Sequence, residues 1–77
     1  MAASTVPLSM VSPGDVVRIV QIRGGRGLAR KLADMGLVPG TSIRVINAQG
    51  LGPVVLEARG TRLALGHGMA QRILVWR

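Results

Sequence analysis

The chain has 77 residues, no cysteine, and a formal net charge of +7 from ten basic and three acidic side chains. That length gives one domain with a small core, and the missing thiols exclude disulfides and thiolate metal sites as sources of stability. Nine of the ten bases are arginine and Trp76 is the sole aromatic residue, so the fold must rest on aliphatic packing and the surface must favour acidic partners.

Residues 1–10 lack a basic segment followed by a continuous apolar run, so they do not read as a secretion signal. No stretch approaches the roughly 18 apolar residues a spanning helix needs. The expectation is a soluble, cytoplasmic protein: a flexible tail over residues 1–7 ahead of one domain over 8–77. Leu8 and Met10 are expected to pack under the sheet.

Two stretches repeat one pattern. Val11-Ser12-Pro13-Gly14-Asp15-Val16-Val17-Arg18-Ile19-Val20 returns as Leu37-Val38-Pro39-Gly40-Thr41-Ser42-Ile43-Arg44-Val45-Ile46. Proline presets the first corner of a type II turn, and glycine accepts the positive φ of the second. Each copy therefore predicts a tight turn that launches a β-branched strand, making two equivalent barrel corners and not a solenoid repeat.

The first strand is expected over Asp15–Ile22, with Arg18 outward between Val17 and Ile19 and a bulge near Val20-Gln21. From Gly27 the period changes: Leu28, Leu32 and Met35 recur at helical spacing, with Ala29 and Ala33 beside them. Gly36 is the natural left-handed cap of this short helix. Further strands are expected over Thr41–Asn47, Val54–Arg59, Arg62–Leu65 and Arg72–Trp76. A hairpin at Arg59-Gly60-Thr61 and a turn or single helical turn at residues 66–71 connect the last of them. The sum is a mainly β domain: a small closed barrel of five strands with one inserted helix.

Catalytic chemistry is sparse. There is one histidine and no tyrosine, and Asp15, Asp34 and Glu57 are far apart in sequence, so no nucleophile–base–orienter set assembles and the chain reads as a non-enzyme. Gly24-Gly25-Arg26-Gly27 lacks the Walker spacing and reads as a strand-to-helix turn. His67, between two glycines and expected to be exposed, is a weak metal candidate that needs Glu57 or a second molecule to complete a site. Otherwise it is a surface histidine, and any divalent metal there is adventitious; no cofactor is expected.

Small basic barrels also bind nucleic acid, but stacking platforms need aromatics and only Trp76 is available. Nucleic-acid binding and a metal-responsive regulatory module stand as the alternative readings. Leu74 and Trp76, outside a barrel, could form a self-association patch, leaving a homo-oligomer open; alternatively, Trp76 is a lid over the core.

The order Leu32-Ala33-Asp34-Met35-Gly36-Leu37-Val38-Pro39-Gly40, with Leu63-Ala64-Leu65-Gly66 and Met69-Ala70 later, resembles the FeoA family from about Leu8 to Trp76. The resemblance implies an SH3-like barrel and a cytosolic accessory protein of bacterial ferrous iron uptake. It further implies contact with the FeoB-type transporter through that transporter's cytoplasmic GTPase domain, so that any membrane association is indirect. Related domains end iron-dependent repressors. Within this reading, Arg30 and Lys31 on the helix and the corner Val38-Pro39-Gly40 are the expected partner-binding residues. The other reading makes Arg30 and Lys31 ordinary solvated charges.

Overall fold

A computed structural model describes residues 4–77. Six strands form one antiparallel sheet: β1 (Thr5–Pro7), β2 (Val16–Ile22), β3 (Ser42–Ala48), β4 (Val54–Ala58), β5 (Thr61–Leu65) and β6 (Ile73–Trp76). Their order is β1-β6-β2-β3-β4-β5. Helix α1 (Gly25–Asp34) lies between β2 and β3, and the single turn α2 (His67–Ala70) lies between β5 and β6.

The mainly β architecture with one inserted helix follows the expectation from sequence. The five-stranded closed barrel is corrected: there are six strands, and no pairing joins β5 to β1 among the described residues. The extra strand is Thr5–Pro7, inside the segment expected to be tail; residues 1–3 of that segment lie outside the described residues. Its register is Thr5↔Trp76, Val6↔Val75 and Pro7↔Leu74. Three residues ending in proline carry almost no local strand signal, so only pairing with the distant C-terminal strand makes them β.

Alternation along the strands builds the core. Val17 and Ile19 on β2, Ile43 and Val45 on β3, Val54, Leu56 and Ala58 on β4, and Ile73 and Val75 on β6 are all buried. Arg18 and Arg44 point outward between their buried neighbours. Leu65 on β5 joins them, and Leu8, Val11, Leu32, Leu37 and Ala70 close the cluster from the segments between the strands. Two side chains differ from expectation: Met10 is exposed, not packed under the sheet, and Leu74 is buried, not outside. Of the two readings of Trp76, the outward one holds and the lid is corrected, since the residue is 53% exposed.

The repeated phrase is visible in the register. Val17 on β2 lies directly opposite Ile43 on β3, and the two hold the same position in the two copies. The register shifts between Ile19 and Gln21 against β6, and again between Val45 and Asn47 against β4. The two copies are therefore related by a pseudo-twofold axis through the Val17–Ile43 pair, and both strands bulge at the same step. Outward from that axis the strand order reads symmetrically, β6 then β1 on one side and β4 then β5 on the other.

Candidate partner-binding groove

Helix α1 is held by its docking face. Leu32 is fully buried, and Leu28 and Met35 pack against the core from partly buried positions. Its charges do not help it start: Arg26 sits in a first turn that has no acidic residue, where the helix dipole disfavours a cation. Ten residues are also too few for stability in isolation, so the buried leucine stripe is what fixes the helix.

The helix ends abruptly. Gly36 adopts φ 84°, its amide donates to the carbonyl of Ala33 at 2.9 Å, and the Leu37 amide donates to the carbonyl of Leu32 at 2.9 Å. This is a Schellman cap, and its usual apolar contact is supplied by Leu32 and Leu37, both fully buried. The chain then turns at once: the Thr41 amide donates to the carbonyl of Val38 at 3.0 Å across Pro39-Gly40.

Thr41 ties cap to corner. It is the one buried polar residue among those described. Its hydroxyl accepts from the Val38 amide at 3.3 Å and donates to the Gly36 carbonyl at 3.5 Å. Its own carbonyl accepts from the Ile19 amide at 2.9 Å, which joins the corner to β2. Helix end, turn and sheet thus form one rigid junction.

Between this junction, the β2 bulge and the side of α1 lies a shallow groove lined by Val20, Ile22, Ala29, Ala33, Leu37 and Pro39, with Arg30, Gln21 and Val38 also contributing. The structure brings Arg30, Val38 and Pro39 together on this groove. Lys31 is exposed on the helix and Gly40 is exposed in the turn, but neither lines it. The sequence does not mark the other lining residues, Val20, Gln21, Ile22, Ala29, Ala33 and Leu37, as part of a site. Ala29 and Ala33 were read as accompanying the buried stripe, whereas Ala33 is exposed; their small side chains leave the groove open. Val20 faces outward in phase with Val16 and Arg18, and the bulge after Ile19 leaves Gln21 exposed beside it, so that the strand and α1 share this groove. Thr41 had a signal: a polar side chain closing a Pro-Gly turn can bond the neighbouring backbone.

His67 opens α2 and is half-buried, not exposed as expected between its glycines. Among the described residues no three His, Cys, Asp or Glu side chains gather where they could hold a metal. Glu57 is engaged elsewhere, in an ion pair with Arg44 at 2.5 Å. Among the described residues no helix is long and apolar enough to cross a membrane.

Comparison with known proteins matches the chain to the FeoA domain over residues 6–77. A relative from Methanocaldococcus jannaschii named as a putative Fe(2+) transport protein A is 35% identical over 69 residues, covering 90% of this chain and 83% of its own. The crystal structure of an iron uptake regulatory protein (FeoA) superposes with a TM-score of 0.89 at 41% identity, covering 95% of this chain and 97% of that one. A manganese-dependent transcriptional repressor superposes with a TM-score of 0.86 at 20% identity, covering 99% of this chain and 43% of its own; that likeness shows a shared SH3-like fold alone.

Proposed function

The chain belongs to the FeoA domain family, and on that premise we propose that it serves ferrous iron transport as a non-enzymatic, cytosolic accessory protein that contacts the cytoplasmic GTPase domain of a FeoB-type transporter. The family match over residues 6–77 carries the reading. The contact surface is the groove beside α1. Its floor is aliphatic, its rim carries Arg30, and the Thr41-tied corner at Val38-Pro39 gives it a fixed wall. A preformed surface of this kind binds without a large ordering cost, and the contact requires no cofactor. Lys31, next to Arg30, adds positive charge outside the groove lining, which suits an acidic face on the transporter domain.

The test is a pull-down against the isolated cytoplasmic domain of the transporter, with and without guanine nucleotide. The unmodified chain is expected to bind. Arg30→Glu combined with Lys31→Glu is expected to bind weakly while melting at an unchanged temperature. Equal binding by both proteins would reject this groove as the contact, and no binding by the unmodified chain would reject the partner.

A further inference from the structure

The pseudo-twofold relation between the two phrases is broken in one chemically telling place. Arg18 and Arg44 hold the same position in the two copies, and both point outward. The residue across the sheet from Arg44 is Glu57, which pairs with it. The residue in the matching place across from Arg18 is Trp76. One arginine is neutralised, whereas the other stands beside an exposed indole. Among the described residues Arg44–Glu57 is the one ion pair, so Arg18 has no carboxylate within reach.

Around Arg18 the outer face of β2 and β6 is open. Val16, Arg18, Val20, Ser42, Trp76 and Arg77 line a broad groove across it. Val16 is 67% exposed and Trp76 is 53% exposed. Val16 lies opposite Arg44. The groove therefore offers two aliphatic side chains and one indole beside Arg18 and Arg77, with no acidic side chain in its lining; Arg44, opposite Val16, is paired with Glu57.

We propose that this face rests directly on a bilayer that carries anionic phospholipid. Each component matches a layer of such a surface. An indole settles at the headgroup boundary, short aliphatic side chains enter the acyl edge, and arginines bond lipid phosphates. A single-stranded nucleic acid is a poorer match, because it needs a succession of stacking aromatics and this face has one. Direct contact of this kind departs from the sequence expectation, which made any membrane contact indirect, through the transporter. The face meets the α1 groove at Val20, which lines both, so a protomer lying on the bilayer would hold that groove at the membrane surface. The inference rests on the sheet face and not on the transporter reading.

Trp76 is the chain's only tryptophan, so its emission reports on this face alone. The experiment floats the protein with vesicles of phosphatidylcholine, or of phosphatidylcholine mixed with phosphatidylglycerol, at low salt. Expected are partition onto the mixed vesicles only, a blue shift of Trp76 emission, and quenching by brominated acyl chains. Arg18→Gln and Arg77→Gln should each weaken partition about fivefold, whereas Arg26→Gln on α1, away from the face, should change it little. Absence of partition, an unshifted Trp76, or equal losses in all three variants would overturn the proposal. Tighter binding of a short single-stranded oligonucleotide or of polyglutamate than of mixed vesicles, with the same Trp76 response, would also overturn it by assigning the face to that partner. The vesicles contain no protein, so failure here leaves the transporter reading untouched.

Discussion

The amide of Gly40 donates to the carbonyl of Ile19 at 2.7 Å, across from one copy of the Pro-Gly phrase to the other. The reverse bond exists with the copies exchanged: the Gly14 amide donates to the carbonyl of Val45, also at 2.7 Å. Two more bonds complete the exchange, from the Ile19 amide to Thr41 and from the Val45 amide to Asp15. Each turn is thus anchored on the strand that the other turn launches. Neither corner is a self-contained hairpin; each needs its counterpart, which makes the pair a cooperative unit at the centre of the sheet.

The Thr41 hydroxyl should contribute measurably to that unit. Thr41→Val keeps the shape but leaves the Val38 amide and the Gly36 carbonyl without this partner. A loss of about 1 kcal/mol is expected, read as a melting temperature lower by roughly 4–8 °C in a domain of this size. An unchanged melting temperature would show that water replaces both bonds at no cost.

Two glycines of the helical segment should respond in opposite directions. Gly36 holds φ 84° in the cap, so Gly36→Ala should destabilise by about 1–2 kcal/mol even though the space around it is open. Gly27 lies within α1 without a positive φ, and a methyl added there would meet nothing within 4 Å. Gly27→Ala should therefore stabilise by about 0.5–1 kcal/mol. Urea denaturation of both variants checks the pair.

Filling the groove should separate binding from folding. Ala33 is exposed and helical, so Ala33→Leu should leave the fold intact while occupying the space between α1 and Pro39. Affinity for the transporter's cytoplasmic domain is expected to fall about tenfold, roughly 1.4 kcal/mol, measured by titration calorimetry. Undiminished affinity would place the contact elsewhere.

The Arg44–Glu57 pair should matter little to stability. Its side chains are 51% and 32% exposed, so solvent screens the attraction. A double-mutant cycle with Arg44→Gln and Glu57→Gln should return a coupling of about 0.2–1 kcal/mol that shrinks with added salt. A larger, salt-insensitive coupling would contradict this.

What could be read without coordinates was local. The cap at Gly36, the Pro-Gly corners, the Arg59-Gly60 hairpin and the bulge near Val20 all depend on residues within a few positions of one another. Arg59 (φ 53°) and Gly60 (φ 79°) both take the positive φ that such a two-residue turn needs. The groove was half legible. Arg30, Val38 and Pro39 were expected there from the helix–turn junction. Ala29, Ala33 and Val20 were not, because a small or outward side chain gains meaning only from what stands opposite.

Backbone preferences and side-chain periodicity suffice to dictate the alternation that buries Val17, Ile19, Ile43 and Val45, the helix stripe, and the turn chemistry. Long-range packing, by contrast, makes Thr5–Pro7 a strand, covers Leu74 while leaving Trp76 open, and sets Arg18 against an indole where Arg44 meets a carboxylate. Those outcomes depend on register between segments tens of residues apart. No local preference encodes register; it is set by how the two copies of the phrase lock together across the Val17–Ile43 pair and carry β4 and β6 with them.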